Sequence, residues 1–232
     1  AAIVAEDLLS FDETLFDIAN RSEHPDLAWL ALRAAAPALE ALLSIPERGV
    51  PVEWLTFCVR TVLSTRSSNW MRRSALEILA LDRQSGVEML EGQLKPGPSK
   101  DAWHVSARAA ELLGEHFPDE AIELFNLYLS GIDSVAVKMS MTQACQHIAT
   151  EAAVNFLVEL GGADQPLKVR NAAAESLAEL ALEGERAGAL AGAELANFLM
   201  REQAAEVIAA VAGHILVVLS PITAEAAEIA ER

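Results

Sequence analysis

Asn69-Trp70-Met71-Arg72-Arg73-Ser74-Ala75-Leu76-Glu77-Ile78-Leu79 is the stretch on which the reading of the fold turns. Met71, Ala75, Ile78 and Leu79 stand at offsets −4, 0, +3 and +4 about Ala75, which is one face of a helix with 3.6 residues per turn. The small residue at the centre of that face lets a second helix come close, and the flanking aliphatics fill the groove beside it. The same offsets recur outward along the chain. Ala109 is framed by Val105, Leu112 and Leu113, and Ala35 by Ala31, Ala38 and Leu39. Ala173 is framed by Val169, Ser176 and Leu177, and Ala144, the weakest copy, by Ser140, His147 and Ile148. Successive anchors are 40, 34, 35 and 29 residues apart. A face of this kind is not buried by a single helix pair, so the recurrence predicts pairs that stack.

Helix signals divide the rest. Capping-box spacing is found at Ser10-Phe11-Asp12-Glu13 and Ser85-Gly86-Val87-Glu88, and Pro25 and Pro51 suit a first helical turn. Loops are expected at Lys95-Pro96-Gly97-Pro98-Ser99 and Gly161-Gly162. The resulting helices are 11–20, 26–44 with a kink at Pro37, 51–64, 69–82, 86–94, 101–116, 118–130, 134–149, 151–160, 165–183, 187–200, 203–219 and 222–231. No run alternates β-branched and aromatic residues with polar ones, so no sheet is expected. The predicted fold is all-α, about 12–13 helices in one α-solenoid domain over 1–232. Residues 1–20 form an N-terminal cap, 26–183 the repeats, and 185–232 an Ala-rich set of C-terminal capping helices in which Ala205, Ala209 and Gly213 make a small-residue stripe.

Composition narrows the function. Hydrophobic residues are 52% of the 232, enough for a continuous core, while aromatics are only 5%. The net charge is −17, with −6 in residues 1–116 and −11 in 117–232. Such a surface repels phosphate backbones and anionic lipid, which argues against general nucleic-acid or membrane binding. The apolar run from Val207 to Ile222 is interrupted by Gly213, His214, Ser220 and Pro221 and is shorter than the ~20 residues of a membrane span. Cys58 and Cys145 lack metal or redox spacing and read as buried free thiols, which suits a reducing cytoplasm. The chain opens Ala1-Ala2, without an initiator Met or a signal segment, and reads as trimmed or as a piece of something longer.

Met71-Arg72-Arg73-Ser74-Ala75-Leu76 and Val169-Arg170-Asn171-Ala172-Ala173 resemble the Val-Arg-x-x-Ala core of HEAT-type repeats, and Asp26, Asp101 and Asp164 resemble that family's acidic turn position. The resemblance covers about 26–183 in five copies and departs in the fourth, where Lys138 is displaced from the Arg position. It implies an α-solenoid whose second helices line a concave face. Tetratricopeptide repeats have a similar period, but their signature residues are not found at matching offsets. Asn69 to Ala75 is also similar to a Trp-x-Arg-Arg-Ser-Ala stretch of HEAT-like glycosylases that excise alkylated bases from DNA, and bilin lyases share the repeat type. These carry the alternative, enzymatic reading. The charge opposes a duplex-binding surface, and no catalytic Asp is carried over.

No other chemistry is signalled. His24, His104, His116, His147 and His214 make no metal-binding pair, and no nucleophile elbow, phosphate loop or dinucleotide fingerprint occurs. No catalytic residue, cofactor or metal is assigned. His147 falls at a core offset and reads as a hydrogen-bonded core histidine. Arg33, Arg72, Arg73, Arg108, Lys138, Lys168 and Arg170 lie on second helices, off the apolar offsets. Two readings are open for them: a ladder of ion pairs to acidic turn residues, or a less acidic inner stripe that binds. All four tryptophans lie in the first half, Trp29 and Trp103 at offset −6 from their anchors and Trp70 at −5. Their rings either cover the core's ends under the turns or form a surface, since Trp and Arg are enriched in binding hot spots. The expected partner-binding strip is Trp29, Arg33, Trp70, Arg73, Trp103 and Arg108. The expected function is a protein–protein interaction scaffold or adaptor rather than an enzyme. Its partner is a protein with a basic or apolar-anchor segment.

Overall fold

The computed structural model describes residues 2–45, 48–95, 103–182, 186–202, 204, 205, 207–209, 211 and 212, with side chains from residue 11 onward. Every regular element among them is helical, and no strand occurs. The chain divides into two compact units, Ala1–Phe117 and Pro118–Arg232.

The first unit holds α1 (Ala2–Arg21), α2 (Pro25–Leu43), α3 (Val52–Leu63), α4 (Asn69–Leu79), α5 (Arg83–Leu94) and α6 (Trp103–His116). Helix α1 packs on α2, α3 on α4 and α5 on α6, while α4 also packs against both α2 and α6. The anchors stand at these contacts. Ala35, Ala75 and Ala109 are wholly buried, together with Leu39, Ile78, Leu79, Val105, Leu112 and Leu113.

The second unit holds α7 (Pro118–Tyr128), α8 (Val135–Ala144), α9 (Glu151–Leu160), α10 (Leu167–Leu182) and α11 (Arg186–Arg201). Helix α10 packs on α8, α9 and α11. Ala144 and Ala173 are buried, as are Ser140, Val169, Ser176 and Leu177. At Gly188 of α11 an added Cβ would stand 2.9 Å from the Leu180 carbonyl oxygen, so only glycine permits that approach.

Local chemistry explains the helix starts. Ser68, Ser134 and Thr150 each accept the backbone N–H three residues on, which satisfies one of the unpaired donors at an N-terminus. Pro25 opens α2. Three expected starts are corrected. Pro51 sits one residue earlier than the first turn, as the N-cap of α3. Helix α5 begins at Arg83, because the Asp82 carboxylate accepts from Ser85 N–H at 2.9 Å and displaces Ser85 as the cap. Gly86 therefore lies inside α5, where an added Cβ would be 2.8 Å from both the Leu79 carbonyl oxygen and the Phe117 ring. The box at Ser10–Glu13 starts nothing, since α1 runs through it from Ala2.

Asp12 of that box is instead a core residue. It is 5% exposed and accepts from the Trp54 indole N–H at 2.6 Å, joining α1 to α3. Trp54 is itself buried, edge-on to Phe16 and Phe57. His147 is exposed, not in the core. Helix α8 stops at Ala144, a 3-10 turn follows over Cys145–His147, and Ile148 has left helical dihedrals. Ile148 fills the core, and the imidazole turns to water, where its nitrogens need no protein partner. Helix α2 continues through Pro37, whose missing N–H removes the intrahelical donor to the Arg33 carbonyl. Cys58 and Cys145 are buried free thiols, and burial pushes both pKa values well up.

The expected loop at 95–99 and helix 222–231 lie outside the described residues apart from Lys95. So does most of 203–219. Of the small-residue stripe, Ala205 and Ala209 are exposed, whereas Val207 and Val211 are buried, and Gly213 lies outside the described residues. Valines thus supply the apolar face there. Among the described residues no helix is long and apolar enough to cross a membrane.

Two outcomes follow from this packing. Replacing Ala109 with Leu forces three extra heavy atoms or a helix shift into a filled contact, and is expected to cost ~1–3 kcal/mol. Thermal unfolding checks it, and an unchanged Tm would refute the tight contact. For Asp12, burial raises the carboxyl pKa above its ordinary value, partly opposed by the Trp54 hydrogen bond and aided by the Glu13 charge. The folded state therefore binds its proton more tightly than the unfolded chain, and this group's contribution to stability falls as pH rises through that window. Asp12→Asn keeps an acceptor and removes the charge, so it should flatten this dependence and leave stability at neutral pH equal or higher. Asp12→Ala strands the indole N–H and should cost ~1–3 kcal/mol. Chemical denaturation of both variants across pH gives the comparison.

Candidate functional site: the tryptophan–arginine face

In the first unit α2 and α4 lie side by side with their anchors buried, and the tryptophans near their starts meet. The Trp29 and Trp70 rings are 6.2 Å apart between centroids and tilted by 57°. Each ring carries a guanidinium one turn further along its own helix. Arg33 lies 5.7 Å over Trp29 and Arg73 lies 5.2 Å over Trp70, both within cation–π range. The spacing explains the pairing, because residues four apart (Trp29 and Arg33) or three apart (Trp70 and Arg73) share a helix face.

These four residues, with Ser74 and Glu77, line a hollow of about 260 Å³. Trp70 is 60% exposed, Trp29 is half-buried, and Arg33 is exposed. The one-residue difference in offset, −5 at Trp70 against −6 at Trp29, does not keep the rings apart. Among the described residues neither Arg33 nor Arg73 makes an ion pair.

The other two members of the expected strip are placed differently. Trp103, at the start of α6, is 39% exposed and stacks on the adjacent His104 rather than on Trp70. Arg108 is half-buried and is held by three carboxylates: Glu77 at 3.1 Å, Glu111 at 3.0 Å and Glu115 at 3.4 Å. Burial opposes its charge, but the Glu111 hydrogen bond and the charges of Glu77, Glu115 and Glu111 more than offset that and raise its pKa. Arg108 thus ties α6 to α4. Through Glu77 it also neutralises the acid at the edge of the hollow.

Three further second-helix cations, Arg72, Lys138 and Arg170, are engaged within their own units. Arg72 donates to the Val62 carbonyl at 3.0 Å and to Gln93 at 2.9 Å, and burial lowers its pKa. Lys138 donates to Gln165, and Arg170 makes two bonds to Glu202, at 3.0 and 3.3 Å. None of these bonds goes to an acidic turn residue of the repeat pattern, so among the described residues the expected ladder of ion pairs does not form. Arg170 and Glu202 also border a second hollow of about 420 Å³ in the second unit, beside Phe198 and the Gly161-Gly162 turn. Phe198 would be 3.1 Å from a Cβ on Gly161, so the glycine admits the ring.

Sequence reasoning missed Ser74 and Glu77 as wall residues. Both were within reach of it, since Ser74 is four residues from Trp70 and Glu77 four from Arg73. Among the described residues no cluster of three or more His, Cys, Asp or Glu is arranged to hold a metal ion. No protein-family model and no curated protein matches the chain.

The tryptophans should separate by solvent access. Acrylamide quenching of the intrinsic fluorescence is expected to lose its most accessible component in Trp70→Phe and its protected component in Trp54→Phe. Equal quenching of the residual signal in both variants would contradict this assignment.

Proposed function

We propose that this chain is a HEAT-like α-solenoid interaction module, without catalytic activity of its own, that holds a protein partner in a reducing compartment through the face formed by α2 and α4. The observation that carries the reading is the contact between half-buried Trp29 and exposed Trp70, each with a guanidinium over its ring and both bordering one hollow. Large rings held rigid beside directional donors, with little side-chain entropy left to lose, are the composition of binding hot spots. A purely core-covering role is a poor account of a tryptophan that leaves 60% of its surface in water. The repeat reading is supported by the anchors, all five of which are buried, and by the pairwise contacts of the helices within the first unit. The partner's segment would seat an apolar side chain against Trp70. Trp103 and Arg108 are secondary on this reading, because the first lies apart from the ring pair and the second is already held by three glutamates.

The test compares proteins captured from native lysate by the wild-type chain and by the Trp29→Ala/Trp70→Ala double variant at matched helix content. Loss of a hot-spot residue typically costs about 2 kcal/mol or more, roughly 30-fold in affinity. A partner should therefore be retained by the wild type and depleted on the variant, and should shield Trp70 from acrylamide in the purified complex. A partner held equally by both would overturn the assignment of this face.

A further inference from the structure

The hollow between α2 and α4 has a charge opposite to that of its surroundings. Arg33 and Arg73 both border it, and neither is neutralised by a carboxylate among the described residues. Each guanidinium lies over an indole, which orients it while leaving its N–H donors unspent. The one acid in the wall, Glu77, is bound to Arg108 at 3.1 Å and so turns part of its charge away from the two arginines. Two like charges bordering one small hollow repel each other until an anion lies between them. The chain as a whole carries −17, so this arrangement is local and does not follow from composition.

We propose that the hollow receives a carboxylate of an acidic peptide segment, an Asp or Glu flanked by an apolar residue that rests on Trp70. This deepens the interaction-module reading and depends on it. Planar guanidinium groups match a carboxylate's two oxygens, and Ser74 adds a hydroxyl at the same wall. A single carboxylate suits the electrostatics better than a nucleic-acid strand does. A run of phosphates passing along α4 and α6 would meet Glu111 and Glu115, which with Glu77 outnumber Arg108 three to one.

The experiment is a selection of a random dodecapeptide library on the full chain, followed by binding of the winning peptide to variants of matched helix content. The expected consensus contains Asp or Glu next to an aliphatic or aromatic residue. Its affinity should fall by about tenfold or more in Arg33→Gln/Arg73→Gln and recover in part in Arg33→Lys/Arg73→Lys, which keeps the charge without the fork. A consensus lacking acids, no consensus at all, or equal binding by the Gln variant would overturn the proposal. Displacement of the peptide by a single-stranded oligonucleotide at similar concentration would overturn it too, and would assign the cations to phosphate. Trp29→Ala/Trp70→Ala separates the two levels. Binding lost there but retained in the Gln variant leaves the docking face standing and removes only the carboxylate.

Discussion

The close approach of helices at Ala35, Ala75 and Ala109 is the constraint on which the first unit depends. A methyl group at the centre of each contact face leaves the spacing of α2, α4 and α6 to backbone and flanking aliphatics, and packed helices then sit roughly 8–10 Å apart. A large ring on one helix reaches its counterpart on the next only at such spacing. The 6.2 Å separation of Trp29 and Trp70 accompanies two alanines several residues away, one on each helix, neither of which touches water. The second unit uses the same device at Ala144 and Ala173, where α8 meets α10, and glycine carries it further at Gly188, where α11 meets α10.

Polar contacts refine what the small residues permit. Nonpolar burial is non-directional and leaves neighbouring helices free to slide, whereas a buried donor and acceptor fix register, because a misplaced partner goes unpaired. Asp12 with Trp54 does this between α1 and α3, and Arg108 with Glu77 between α6 and α4. In the second unit Arg170 makes paired bonds to Glu202. Most of these use a cation from a chain that has few. Against that background the arginines left without carboxylates at the Trp29–Trp70 hollow are a local inversion of the chain's charge.

The helical class and the buried faces were legible because both follow from side-chain size at a fixed period. The five anchors need only their own flanks to be recognised. What escaped depended on partners far along the chain. Asp12 looked like a helix start, and nothing within ten residues of it announces an indole 42 positions later. Arg108 was placed in the strip because Glu77, on another helix, is invisible to a local reading, although Glu111 and Glu115 lie within reach on its own helix. His147 was misplaced for a different reason, since the period holds only while the helix does, and α8 ends three residues before it. Of the expected strip, Trp29, Arg33, Trp70 and Arg73 come together at one hollow, while Trp103 turns to its own neighbour. The way the two rings meet belongs to the pair of helices rather than to either stretch of sequence alone.

The central claim is that small anchors, acting at a distance, set the tryptophan pair. Far-ultraviolet circular dichroism reads it directly, because two indoles this close and inclined to each other couple their transitions and give a paired band of opposite signs that an isolated indole lacks. Loss of that band in Trp70→Phe identifies it. In Ala75→Leu, which leaves both rings in place and pushes α2 and α4 apart, the account predicts that the band collapses while the helical signal stays. A paired band of undiminished strength in a folded Ala75→Leu chain would show that the anchors do not set the ring contact.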